Sequence, residues 1–158
     1  MQRPWNLPSL PVYSLATYSA ESFNMNICTY VTAVSMQPKL YIIAVYQHTL
    51  SLEWMQQSNE AVLQLLHARQ YGLVRYLGQK SGHIFPKQAW LQKKQLLTQW
   101  RQFTVLKEAA AYIQLQKIQT ISCEGDHTLF LCKAVHFQSL STDVLTTGIL
   151  SAKKLIRI

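Results

Sequence analysis

The sequence is short of acidic residues, of glycine and of long apolar runs, and each shortage closes off a class of protein. Only 7 of its 158 residues are Asp or Glu, against 15 Lys and Arg, which leaves a formal net charge of +8. Charged residues make up 14% of the chain, where ordinary soluble domains carry about 25%. The excess therefore comes from missing acids, with Gln in the surface positions they would usually take. With 49% hydrophobic residues and a mean hydropathy of +0.00, the chain is too apolar for a disordered polycation, which excludes a basic tail or a histone-like polymer. Five glycines form neither a P-loop nor a GxGxxG turn, so any nucleotide phosphate must be held without a glycine-rich cradle. The longest unbroken apolar run, Leu-Tyr-Ile-Ile-Ala-Val-Tyr at residues 40–46, is far shorter than the roughly 20 residues that cross a bilayer. It reads as a buried strand, and no membrane partner is expected. The first eight residues hold two prolines and no apolar signal core, so the expected location is cytoplasmic. Cys28, Cys123 and Cys132 lack CxxC spacing and lie in or beside hydrophobic stretches, as reduced packing residues do. The histidines form no HExxH and no cluster at ligand spacing, so no metal is expected.

What is present is a chain of single-domain length, residues 1–158, built from short apolar runs. Residues 12–18, 27–36 and 40–46 are rich in Val, Ile, Tyr and Thr, which predicts strands, the last two joined as a hairpin through Gln37-Pro-Lys39. A short helix is expected over 51–57 with Ser51 as its cap. Residues 61–66 fit a helical turn and a buried strand equally well. Leu73, Val74 and Leu77, then residues 87–100, predict two amphipathic helices flanking the loop 78–86. Period-two alternation from Ile113 and the turn at 124–126 predict a second hairpin running to Phe137, and the apolar and basic stretch 145–158 is a candidate to close a sheet. About six strands with helices inserted mid-chain suit a mainly β, closed antiparallel barrel better than a parallel sheet. From residue 61 to 107 there are eight bases, Arg69, Arg75, Lys80, Lys87, Lys93, Lys94, Arg101 and Lys107, and no acid. An anionic partner is expected there.

Four segments carry more specific information. They are Asn-Met-Asn-Ile-Cys-Thr-Tyr-Val-Thr-Ala-Val-Ser at 24–35 before a proline turn, Thr-Leu-Ser at 49–51, Leu-Gly-Gln-Lys-Ser-Gly at 77–82 followed by Lys87, and Gly-Asp-His-Thr-Leu-Phe at 125–130. In this order, over nearly the whole chain, they resemble the flavin reductase family. The resemblance implies an FMN-binding split β-barrel, an antiparallel Greek-key barrel with inserted helices, in which 61–66 is a strand. It implies bound FMN, with FAD or riboflavin less suited, and NADH or NADPH as co-substrate delivering hydride to flavin N5. The flavin contacts it implies are Asn24, Asn26, Ile27, Cys28, Thr29, Tyr30, Val31, Thr32, Tyr46, His48, Thr49, Ser51, Lys80, Ser81, Gly82 and Lys87. His127 is implied as a contact to flavin and nicotinamide, and not as a general base, because the cofactors carry the chemistry. A homodimer with FMN near the subunit interface, and an electron acceptor or partner oxygenase, complete what it implies. The chain departs from the family where His83-Ile-Phe-Pro stands between Gly82 and Lys87 in place of the usual Arg and Asp, where Cys132 replaces a common Gly, and where no Tyr follows Thr146.

The residue types agree with these roles. A phosphate dianion suits hydroxyls, N–H groups at a helix start and cations, and the isoalloxazine ring suits an apolar slot with a few donors and acceptors. Thr49 and Ser51 also read as helix caps, and Lys80 and Lys87 taken singly read as solvated charges. Two other functions fit the composition. One is an FMN-binding electron carrier that does not oxidise nicotinamide. The other, remote, is a small basic β-barrel that binds nucleic acid through charge and aromatics.

Overall fold

Runs of β-branched and aromatic residues bounded by turn formers dictate most of the strands. The computed structural model describes residues 3–157; Met1, Gln2 and Ile158, at the ends of the terminal stretches discussed above, lie outside the described residues. Its strands are β1 (Tyr13–Tyr18), β2 (Phe23–Cys28), β3 (Val31–Ser35), β4 (Leu40–Tyr46), β5 (Glu60–Leu65), β6 (Leu97–Trp100), β7 (Phe103–Leu106), β8 (Ala111–Ile121) and β9 (His127–Ser139). The α-helices are α1 (Leu50–Gln57), α2 (Lys87–Lys93) and α3 (Thr147–Ala152). Seven strands form one antiparallel sheet in the order β2-β1-β5-β8-β9-β4-β3, with β6 and β7 as a separate hairpin.

The sheet has to curl. Strands β2 and β3 are at opposite ends of the strand order, yet only Thr29 and Tyr30 connect them, and two residues reach no more than about 10 Å. The two edges are therefore brought to either side of a split at the Thr29-Tyr30 connection, and the Ala44 N–H, donating to the Tyr30 carbonyl at 2.9 Å, carries the β3–β4 pairing up to that turn. This is a split-barrel architecture, mainly β with few helices, as expected. Leu15, Ile43, Met55, Leu63 and Phe130 fill the barrel, while Leu66, Leu91, Val105 and Leu106 pack the helical insertion and the small hairpin against its outside.

The structure corrects several expectations. Residues 27–36 are not one strand, because the chain turns at Thr29-Tyr30 between β2 and β3. Residues 87–100 are not one helix: α2 ends at Lys93, Gln95 takes a left-handed φ of 56°, and residues 97–100 pair with β7. The stretch from 145 adds no strand to the sheet; Thr146 Oγ1 accepts from the Ile149 N–H at 3.3 Å and starts α3, which buries Leu150. Strand β5 resolves the ambiguity at 61–66 in favour of the barrel. Cys28 and Cys132 are buried, and burial pushes both thiols up to about 12. Cys123 is not a packing residue: it is exposed in the β8–β9 turn, beyond the covered part of the sheet. Among the described residues no group of His, Cys, Asp and Glu is placed to hold a metal, and no helix is long and apolar enough to cross a membrane.

Candidate functional site

At the split, the ends of β2 and β4, the start of α1 and the loop after β5 enclose a cavity of about 440 Å³, within the range of about 300–1,000 Å³ usual for small-molecule sites. Its wall contains Asn24, Asn26, Ile27, Cys28, Thr29, Tyr30, Tyr46, His48, Thr49, Ser51, Lys80, Ser81, Gly82, Lys87 and His127. These are all the expected residues except Val31 and Thr32. Past Tyr30 the chain becomes the edge strand β3, where Thr32 is exposed and its hydroxyl turns to the Ala33 carbonyl.

The start of α1 forms one end. His48, at a left-handed φ of 63°, turns the chain out of β4. Thr49, not Ser51, is the cap: its Oγ1 accepts from the Leu52 N–H at 3.2 Å and donates to the Tyr46 carbonyl at 2.8 Å. Ser51 is buried one residue inside the helix, where its hydroxyl accepts from Asn24 Nδ2 at 2.8 Å. Leu50 and Ser51 belong to the first turn, whose N–H groups have no intrahelical partner. Opposite them Gly82 presses so close that an added Cβ would stand 2.7 Å from Asn24 Oδ1 and 3.2 Å from Leu50 Cβ. Only glycine fits there.

The two lysines differ. Lys87 is not a solvated charge but 6% exposed, its Nζ donating to the Leu77 carbonyl at 2.7 Å, and desolvation lowers it to about 8. It is buried because α2 is drawn onto β2, by Leu91 in the core and by Gln88 Oε1 accepting from the Phe23 N–H at 3.1 Å. Lys80 stays at the rim, its Nζ 5.0 Å and 4.4 Å from the ring centroids of Tyr76 and Phe85. The other six bases of the acid-free span are exposed outside the cavity, so that span is not one continuous anion footprint.

At the mouth, His127 opens β9 directly opposite Tyr46. Its Nδ1 lies 2.6 Å from Asp126 Oδ1, and its ring centroid 5.2 Å and 5.4 Å from those of Tyr30 and Tyr46. An ionised Asp126 can only accept, which places the hydrogen on Nδ1 and leaves Nε2 as an acceptor in the neutral ring. Deeper in, the buried carbonyl oxygen of Asn26, Oδ1, has no hydrogen-bond partner. Sequence reasoning left out Ala44, Leu50, Leu77, Gly78 and Gln79. All but Ala44 fall within the quoted segments, and Ala44 shares a strand face with Tyr46, two residues on.

The wall fits a flavin nucleotide on its own chemistry. It holds no carboxylate, it combines apolar side chains with amides and hydroxyls, and it leaves a buried acceptor without a donor.

Comparison with known proteins agrees. A family model described as flavin reductase like domain matches residues 8–150. No curated protein sequence matches. An FMN-binding protein from Thermus thermophilus solved with bound p-hydroxybenzaldehyde superposes with a TM-score of 0.75 at 17% identity, covering 90% of this chain and 78% of its own. A flavoredoxin from Methanosarcina acetivorans gives 0.74 at 14% identity, covering 89% and 75%. The styrene monooxygenase flavin reductase of Pseudomonas putida S12 gives 0.70 at 17% identity, covering 84% and 81%. At these identities the structures attest the fold alone.

Proposed function

The chain belongs to the flavin reductase like domain family, and from that premise we propose that it is an FMN-binding oxidoreductase that oxidises NADH or NADPH. The observation that carries this reading is the unpartnered Asn26 Oδ1 in a carboxylate-free wall, because the flavin ring edge offers an N–H donor and a buried acceptor costs about 1–3 kcal/mol when left unpaired.

In this reading the Leu50 and Ser51 N–H groups, the Thr49 hydroxyl, Lys87 and the rim cation Lys80 hold the phosphate. Asn24, Asn26, the main chain through Ile27, Cys28 and Thr29, and the hydroxyl of Thr29 receive the polar edge of the ring. The bound flavin supplies the redox chemistry, accepting hydride from a nicotinamide and passing electrons to an acceptor or a partner oxygenase. The protein's own part is to bind, orient and exclude water. Asp126 fixes the His127 ring so that Nε2 faces the mouth as a contact for the nicotinamide, and no proton has to leave His127. Tyr30, 58% exposed beside that mouth, is where a second copy of the chain would complete the site as a homodimer. A cytoplasmic location, with its nicotinamide pool, goes with this reading.

A second reading, an FMN-binding electron carrier, is favoured by one observation: Tyr30, Tyr46 and Asp126 already pack against His127 on the side where a nicotinamide would lie. Two measurements decide. The visible spectrum of purified protein with added FMN must change at micromolar concentrations, and failure to do so overturns both readings. Anaerobic bleaching by NADH or NADPH separates reductase from carrier.

A further inference from the structure

Among the described residues, two side-chain hydrogen bonds tie the loop 78–86 to the rest of the chain: at its start Gln79 Nε2 donates to the Leu155 carbonyl at 3.2 Å, and the other lies beyond Gly82. His83 Nε2 lies 2.7 Å from Glu53 Oε1, and this pair ties the loop to α1. On the helix side, Glu53 stands one turn beyond the cap, its N–H bonded to the Thr49 carbonyl at 3.3 Å. On the loop side, the His83 N–H donates to Ser81 Oγ at 3.2 Å, and the Ile84 and Phe85 N–H groups donate to the Ser81 carbonyl at 3.2 Å and 2.8 Å. The residues so fixed, Ser81 and Gly82, do line the cavity, with Gly82 packed on Asn24 and Leu50. His83 is also one of the residues by which the loop departs from its family.

We propose that His83 and Glu53 are positioning residues: their contact clasps Ser81-Gly82 against the start of α1, so that both segments face one phosphate, and it thereby sets the preference for FMN over riboflavin. The proposal rests on the flavin reading above. Without the clasp the loop would have to be ordered when the flavin binds, and that ordering cost would be paid in affinity. The size of the effect is bounded by the clasp itself. The two side chains are 38% and 54% exposed, and an exposed pair shifts an equilibrium by no more than about fivefold. Being exposed, it also weakens with salt.

The test is a fluorescence titration of the full chain with FMN and with riboflavin at low ionic strength. Glu53→Ala and His83→Ala are each expected to weaken FMN about threefold to fivefold and leave riboflavin unchanged. The double variant should be no worse than His83→Ala, which removes the Glu53 contact together with the 3.4 Å approach of its Nδ1 to Ser81 Oγ. His83→Gln, whose amide nitrogen stands near the place of Nε2, should keep the wild-type affinity. Equal losses for FMN and riboflavin, additive losses in the double variant, or FMN affinities unchanged in both alanine variants would each overturn the clasp while leaving the flavin reading in place. Wild-type protein that binds neither flavin overturns the flavin reading, and the clasp with it.

Discussion

Packing α2 onto β2 takes the Lys87 ammonium out of water, and its hydrogen bond to the Leu77 carbonyl does not restore full hydration, so its pKa falls from 10.5 to about 8. The sign of the consequence follows from proton counting. Below about pH 8 both the folded and unfolded chains carry the proton, and the cost of burying the charge is present in full. Between about 8 and 10.5 the unfolded chain binds more protons than the folded one, so stability contributed by this group rises with pH. In the absence of flavin, wild-type protein should therefore gain stability relative to Lys87→Met as pH is raised from about 8 to 10, read as urea midpoints. Parallel profiles would show that Lys87 titrates normally. The same charge is asked to meet the phosphate, so Lys87→Met should weaken FMN about tenfold or more at pH 7, and wild-type affinity should fall as pH passes about 8. Gly82 makes the complementary case. A Cβ there meets Asn24 Oδ1 at 2.7 Å, so Gly82→Ala should cost about 1–3 kcal/mol by overpacking, visible as a lowered melting temperature and a displaced FMN affinity. Sequence pattern brought Gly82 and Lys87 to the site through the same quoted segments but could not rank them. Whether Lys87 is wet or dry depends on what α2 packs against, and that is not written in the residues around it.

The helix α1 shows how one element joins sequence to site. Thr49 both ends β4, by donating to the Tyr46 carbonyl, and caps α1, by accepting from the Leu52 N–H. Thr49→Ala removes both bonds and should destabilise the protein by about 1 kcal/mol, a loss of about 2–4 °C in melting temperature for a chain of this size. Thr49→Ser should restore it, and an alanine variant that melts with wild type would show the cap to be idle. The helix was legible because a polar cap precedes a run with Leu52 and Met55 on one side. Its start was misplaced by one or two residues because Thr49 and Ser51 are both good caps, and only the buried amide of Asn24 settles which hydroxyl faces inward. The long hairpin of β8 and β9 was legible through its period-two pattern and its turn. What local pattern missed was set from a distance. Residues 97–100 leave the helical pattern because they pair with β7 and pack Trp100 against Tyr112, 5.3 Å between ring centroids. Residues 147–152 become helix because the isolated bridges Pro11–Thr146 and His67–Val144 turn the chain across the barrel end.

At the scale of the molecule, the open sheet has two edges, and they are treated differently. The β2 edge is covered: Gln88 of α2 takes up the Phe23 N–H, and Gly78 packs against Ile27, where an added Cβ would meet its side chain at 3.1 Å. The β3 edge has no neighbour beyond β4, and it exposes Val34 and, past its end, Met36, which is 88% exposed. An uncovered strand edge with apolar side chains invites pairing with another chain unless it is blocked by charge or proline, and β3 carries neither. A second copy, carrying the same +8, is repelled everywhere except at a stretch without charge, and β3 carries none. The edge begins at Val31, directly after Tyr30 at the mouth of the cavity, so a dimer formed here would also close the flavin site. Light scattering should give twice the 18.2 kDa of one chain, and Val34→Lys should return it to a monomer while weakening FMN binding, because the mouth is then left open to water. A wild-type monomer would remove the second copy from the site. A dimer indifferent to Val34→Lys would move the interface elsewhere, and a monomeric variant with unchanged FMN affinity would show that one chain holds the cofactor alone.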